Sequence, residues 1–226
     1  MNLALFGSGE FTPSVDGIDE YLISTFKPHN IAVLPTAAGA EKDALKWIEM
    51  ARQHYAKFHL TVIPVPIFNK EDSNNKDLTD LLIPAEWIFF SGGDPGYLMD
   101  VLNDSLLWKT VLKRLQTGAL LTGSSAGAMV MGNFVLASPF RAMFSNSDTV
   151  WQKAFGLVDY TVFPHFNRLK KHKKILQRIT QKGPEKISSA WLGIDENTAF
   201  VISLDKKTVQ GEGKVEIHKS SEEGYL

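Results

Sequence analysis

The chain contains no cysteine. Disulfides, thiolate metal sites and a cysteine nucleophile are therefore excluded. Net charge is almost absent as well, because 24 Lys and Arg stand against 25 Asp and Glu. That balance offers no basic surface for nucleic acid, so none is expected as a partner. Long hydrophobic runs are also missing, and no membrane association is expected. The N-terminal stretch Met1-Asn-Leu-Ala-Leu-Phe-Gly-Ser-Gly-Glu10 lacks a basic n-region and reads as a first strand, not a signal peptide. Its Gly7-Ser8-Gly9 lacks the third glycine of a dinucleotide fingerprint. No H-E-x-x-H or comparable cluster occurs, so neither metal nor other cofactor is expected. Nor is there an internal repeat, a low-complexity tract or a dividing linker. One domain over residues 1–226 is expected, in a cytoplasmic protein that is a monomer or homodimer.

What is present is ordinary globular composition, with 44% hydrophobic and 22% charged residues over 226 positions. Short apolar runs alternate with helical patterns. Leu3–Phe6, Asn30–Leu34, Leu60–Ile63 and Trp87–Phe90 read as strands. Helices are expected between them: one through Ile18, Tyr21 and Leu22, with Ser14 or Asp16 as cap, and one from Ala40 to Lys57. In the latter, Ala44, Ile48, Ala51 and Tyr55 share a face, with Leu45 beside them. A short helix at Leu78–Leu82, one carrying Leu98, Val101 and Leu102, and one at Leu106–Leu115 complete the first part. This alternation predicts a parallel, doubly wound sheet whose ligands sit at the C-terminal strand edge. The edge loops are then 7–10, 35–39, 92–96 and 123–127. Beyond Met131 the pattern changes. Residues 133–151 are mixed. Tyr160–Phe163 is a strand, and Leu169–Thr180 is an amphipathic helix with Leu169, Leu176 and Ile179 inward. Ser188–Ile194, Ala199–Leu204 and Lys214–His218 read as strands of a closing antiparallel section. Its turns fall at Asp205-Lys206-Lys207 and Gly211-Glu212-Gly213.

One stretch carries chemistry: Ala119-Leu-Leu-Thr-Gly-Ser-Ser-Ala-Gly-Ala-Met129. It reads as a buried strand, a tight G-x-S-x-G turn and a helix start, with Ser125 at the centre. The turn lifts one hydroxyl above the sheet edge and leaves free backbone N–H groups at the helix start. A serine needs a base, and six histidines compete. His29, His54 and His59 lie away from the C-terminal edge, His172 is on the basic helix surface 168–174, and His218 is in the last strand region. His165, in Phe163-Pro-His-Phe-Asn167, directly follows a strand and is placed with Ser125. For the acid, Gly193-Ile-Asp-Glu-Asn197 sets two carboxylates side by side. Alternation points Asp195 and Glu196 in opposite directions, so only one faces His165. Asp94 and Asp159 are further candidates.

Together these stretches resemble the peptidase E (aspartyl dipeptidase) and cyanophycinase family of serine peptidases. The matching pieces are Pro35-Thr36-Ala37, Ser91-Gly92-Gly93-Asp94-Pro95, Gly123 to Met129, Pro164-His165-Phe166 and Gly193 to Glu196, in the family's order. The resemblance implies a flavodoxin-like, class I glutamine amidotransferase-like α/β sandwich with a mostly parallel central sheet and a nucleophile elbow. It implies Ser125 as nucleophile, His165 as base and then acid, and Glu196 as the orienting carboxylate. The N–H groups of Gly93 and Ala126 would form the oxyanion hole. Gly92, Asp94 and Arg168 are the candidate substrate-binding residues. Family pocket residues just after the elbow helix have no clear match in 137–141, which includes Arg141, or in 145–148. The expected activity is hydrolysis of a small or unusual peptide. A glutamine amidotransferase-like transfer protein and a catalytically silent binding homologue are the alternatives. The first is disfavoured because class I glutaminases use Cys.

Overall fold

The computed structural model describes residues 1–136, 151–181, 190–204, 206–219 and 222–225. Its centre is a seven-stranded sheet. The strands are β1 (Asn2–Phe6), β2 (Asn30–Leu34), β3 (Thr61–Pro64), β4 (Trp87–Phe90), β5 (Leu120–Ser124), β10 (Thr198–Ser203) and β11 (Lys206–Gly211). They lie in the order β11-β10-β1-β5-β4-β2-β3. The five from β1 to β3 in that order run parallel, and β10 and β11 add antiparallel at the β1 edge.

The apolar runs follow from this placement, because a strand covered on both faces is apolar at every position. Leu3, Leu5, Ala32, Leu34, Ile88, Phe90 and Leu121 pack into a core with α4 (Pro95–Leu102) and α5 (Leu106–Gln116). Ala4, Phe6, Ile31, Val33, Trp87, Phe89 and Leu120 face the opposite core with α1 (Asp16–Phe26) and α2 (Lys46–Ala56). The result is the expected three-layer sandwich. On the second face a buried polar cluster joins the helices: Asp19 of α1 accepts from Tyr55 Oη at 3.2 Å and lies 2.6 Å from His54 Nε2. Burial raises the Asp19 carboxyl above its usual range, although His54 and Tyr55 pull it down.

A four-stranded sheet covers the C-terminal part, in the order β13-β12-β9-β8, from β8 (Thr161–Phe163), β9 (Ala190–Ile194), β12 (Val215–Lys219) and β13 (Glu222–Tyr225). The expected closing section is thus split: β10 and β11 extend the main sheet, while β9 and β12 pair with the strand that precedes His165. Residues 133–151 contribute β6 (Phe134–Leu136), which pairs with β7 (Trp151–Lys153).

Several local expectations are revised. Neither Ser14 nor Asp16 caps α1; Ser14 instead donates to Asn197 Oδ1 at 3.0 Å. Helix α2 begins only at Lys46, so Leu45 sits at its N-cap and is 62% exposed. Lys206 and Lys207 open β11 instead of forming a turn. The helix expected over 169–180 is two pieces, α7 (Phe166–Leu169) and α8 (Lys173–Gln181), with Ile179 buried. α3 (Lys76–Asp80) starts two residues early because Asn75 caps it, accepting from Asp77 N and Leu78 N. No helix among the described residues is long and apolar enough to cross a membrane.

Candidate functional site

Strand β5 ends at Ser124, and α6 (Ala126–Met129) starts at once. The single residue between them is Ser125, held at φ 49° and ψ −108°. That conformation is costly for a residue with a side chain, and such strain is held where the surrounding structure over-determines it. Here the determinants are close. A Cβ on Gly123 would stand 2.2 Å from the Gly127 carbonyl carbon, and one on Gly127 would stand 2.5 Å from the Phe90 carbonyl oxygen. Only glycines let the strand and helix approach so tightly. Ser125 N donates to Phe6 O at 3.1 Å, which locks the elbow to β1.

His165 follows β8 through Pro164. Although β8 belongs to the second sheet, His165 N donates to Gly7 O at 3.2 Å, which pins the residue to the C-terminal edge of β1. Its backbone is left-handed, at φ 51° and ψ 35°. The ring reaches Ser125: Oγ lies 3.1 Å from Nε2. On its other side Nδ1 lies 2.8 Å from Glu196 Oε1. The second Glu196 oxygen is 2.8 Å from Arg168 Nε. Asn167 accepts from Glu196 N at 3.1 Å and directs its amide to Oε2 at 3.5 Å. Burial pushes the Glu196 carboxyl up. The hydrogen bond and charge of His165, the charge of Arg168 and the Asn167 bond outweigh this, and the net pKa is lowered. A carboxylate is thereby held ionised against the imidazole. A nucleophile, a base and an orienting acid in hydrogen-bond sequence is the arrangement that activates a serine.

Asp195 turns the other way. It is buried, accepts from Lys214 N at 3.1 Å and lies 3.5 Å from Lys170 Nζ. Asp159 is remote, bound by Asn133 at 2.9 Å. Asp94 caps α4, accepting from Tyr97 N at 2.9 Å. Gly93 has φ +147°, and a Cβ there would be 2.4 Å from the Ala37 carbonyl carbon. Among the described residues, no acceptor engages the N–H of Gly93 or of Ala126. Both amides border Ser125, and free N–H groups there are of the kind that can receive a developing oxyanion.

With this geometry, the residue pattern agrees with the comparisons. A family model described as Peptidase family S51 matches residues 3–210. The chain belongs to peptidase family S51. The crystal structure of a peptidase from an acI-B1 Actinobacterium has TM-score 0.85 and 31% identity, covering 100% of this chain and 93% of that one. A cyanophycinase of Geminocystis herdmanii is 30% identical over 152 residues, 63% of this chain and 53% of its own length. A cyanophycinase of Synechococcus elongatus is 30% identical over 196 residues, 83% of this chain and 58% of its own. The chain spans little more than half the length of these cyanophycinases.

Two clefts meet at Ser125 and His165 of this S51 chain, and Gly93 borders both. One, of about 480 Å³, runs past Met129, Phe163 and Arg168. The other, of about 340 Å³, runs past Ser8, Gly9, Gly92 and Trp47. Arg168 therefore lies on the first cleft and Gly92 on the second. Arg141 and the stretches 137–141 and 145–148 lie outside the described residues.

Two site residues escape a reading of the sequence alone. Asn167 is one. The other is Glu10, 7% exposed, which accepts from Gly92 N at 2.8 Å and from Ser124 Oγ at 2.5 Å. Both of its oxygens are spent joining the β4 loop to the elbow. Its place after Gly7-Ser8-Gly9, on an edge loop, was the available signal. Ser124 is thus a structural hydroxyl inside the elbow.

Proposed function

We propose that this S51 chain is a serine peptidase or amidohydrolase that cleaves a small or unusual peptide, such as a dipeptide or isopeptide. The observation that carries the proposal is the hydrogen-bonded sequence Ser125–His165–Glu196 at a strained elbow. His165 Nε2 takes the Ser125 proton as Oγ attacks the carbonyl carbon. Glu196 keeps the ring oriented and supports the imidazolium that forms. The N–H groups of Gly93 and Ala126 receive the oxyanion. His165 then protonates the leaving amine. Water, activated by the same ring, releases the acyl group. Two clefts meeting at the nucleophile suit a substrate with a group on each side of the scissile bond. Arg168, whose Nε is already engaged by Glu196, borders the acyl-enzyme site and is a candidate substrate contact. The test is covalent labelling by a fluorophosphonate together with amine release from a peptide library. Wild type is labelled and cleaves, and Ser125→Ala folds but does neither. Wild-type turnover by Ser125→Ala refutes the assignment. A parallel glutaminase assay separates hydrolysis from amide transfer.

A further inference from the structure

We infer that the larger of the two clefts selects a peptide with an apolar side chain, aliphatic or aromatic, on a residue flanking the scissile bond. This rests on the peptidase reading above and specifies its substrate class. The cleft opens at Ser125 and His165, so a group held in it is next to the bond attacked. Its walls come from separate elements. Pro95 opens α4, Met129 closes α6, Leu136 ends β6, Phe163 ends β8, Leu169 ends α7, and Ile179 lies in α8. Met129, Leu136, Phe163 and Ile179 are each at most 8% exposed, so the wall is anchored in the core and does not consist of loose surface side chains. Among the described residues, charge or a titrating ring reaches this cleft from His165, Arg168 and His172 only. His165 faces Ser125 and Glu196. Arg168 is held by its Nε on Glu196, with its side chain 74% exposed, and His172 is exposed, so both sit toward solvent.

The volume, about 480 Å³, falls within the range of small-molecule sites and exceeds what one side chain needs. An aliphatic or aromatic group entering it exchanges water for Met, Phe and Leu surface. A carboxylate buried against the six walls loses its hydration, and the one guanidinium lining the cleft among the described residues, Arg168, is already paired with Glu196 and turned toward solvent. Hydrophobic sites discriminate weakly among apolar groups but strongly against an unpaired charge. Selectivity among Leu, Met and Phe is therefore expected to be shallow, and selectivity against Asp steep.

The test is a panel of dipeptides with Leu, Phe, Asp or Lys at each position in turn. Amine release is followed alongside fluorophosphonate labelling of Ser125. The expected result is kcat/KM for the preferred Leu or Phe peptide about 100-fold or more above its Asp counterpart. Leu169→Lys, at the half-buried rim, lowers that ratio about tenfold or more, with its fold checked by circular dichroism. Equal rates, a preference for Asp, an unchanged ratio in Leu169→Lys, or labelling without cleavage of any apolar peptide overturns the inference alone. Absence of labelling in wild type overturns the peptidase reading and the inference with it.

Discussion

Replacing Glu10 by Ala removes both acceptors that hold the elbow to the loop after β4. Two groups lose their partner: the Gly92 N–H, bound at 2.8 Å, and the Ser124 hydroxyl, bound at 2.5 Å. Ser124 is fully buried, and the Gly92–Glu10 bond is a buried one. A buried donor left unsatisfied costs about 1–3 kcal/mol. The hydroxyl can turn toward another acceptor, so its share is at the low end, about 1 kcal/mol, and the fixed amide contributes about 2 kcal/mol. Relief from holding a carboxylate away from water offsets part of this. Water entering the vacated space offsets a little more. The expected net loss is about 2–3 kcal/mol, a large share of a typical 5–15 kcal/mol total. With a urea slope of about 2 kcal/mol per M, the unfolding midpoint falls by roughly 1–1.5 M. Glu10→Gln separates shape from charge. Its carbonyl still accepts from Gly92 N, and its amide donates to a reoriented Ser124 Oγ, so most of the loss is recovered. Urea unfolding of wild type and both variants, followed by Trp fluorescence, provides the measurement. A Glu10→Ala midpoint within about 0.25 M of wild type would show that these bonds add nothing, and a Glu10→Gln protein no better than Glu10→Ala would show that the acceptor geometry is not what matters.

The remaining expectations concern the reacting chain and its support. His165→Ala should lose fluorophosphonate labelling and about 10⁴-fold or more of kcat, and unchanged labelling would point to another base. Glu196→Gln should cost about 10²–10⁴-fold in kcat, because the neutral amide no longer supports the imidazolium. The same variant tests linkage. Glu196 has a lowered folded pKa, so its stability contribution is complete above the ordinary value of 4.5 and is lost as pH falls below that toward the folded pKa. The stability gap between wild type and Glu196→Gln should therefore be flat above about pH 5.5 and close in acid; a gap that widens there contradicts the sign. Gly193→Ala places a Cβ 2.5 Å from the Phe166 ring, which adjoins His165. It should lower stability by about 1–3 kcal/mol and reduce labelling, both readable in one sample set. A chelator should leave the rate unchanged, since the chain has no thiolate and the described residues hold no cluster of three His, Asp or Glu side chains.

The alternation of strand and helix was legible from residues alone because it is a local matter. A strand covered on both faces must be apolar throughout, and Leu3–Phe6, Ile31–Leu34 and Trp87–Phe90 show this directly. The elbow was legible for a similar reason: Gly123 and Gly127 are spaced for one sharp turn, and the residue between them has few conformations open to it. Helix starts were less legible. Leu45 fits the apolar period of α2 but precedes its first turn, and period alone does not locate a boundary.

What only the tertiary structure decided is pairing between distant segments. Asp195 and Glu196 are adjacent and chemically alike, and strand alternation requires only that they diverge. Which one meets His165 depends on β9 lying between β8 and β12, which sends Asp195 to Lys170 and Lys214 and Glu196 to His165, Asn167 and Arg168. The split of the C-terminal strands between two sheets has the same origin, because short half-buried strands carry no mark of which edge they join. Glu10 is the plainest case. Its partners are 82 and 114 residues away, and its place on an edge loop after Gly7-Ser8-Gly9 does not tell which groups its two oxygens bind. Composition, period and turn chemistry act over a few residues, so they determine the layers and the elbow. The hydrogen bonds that aim His165, seat Glu196 and bury Glu10 form only when the sheet has closed.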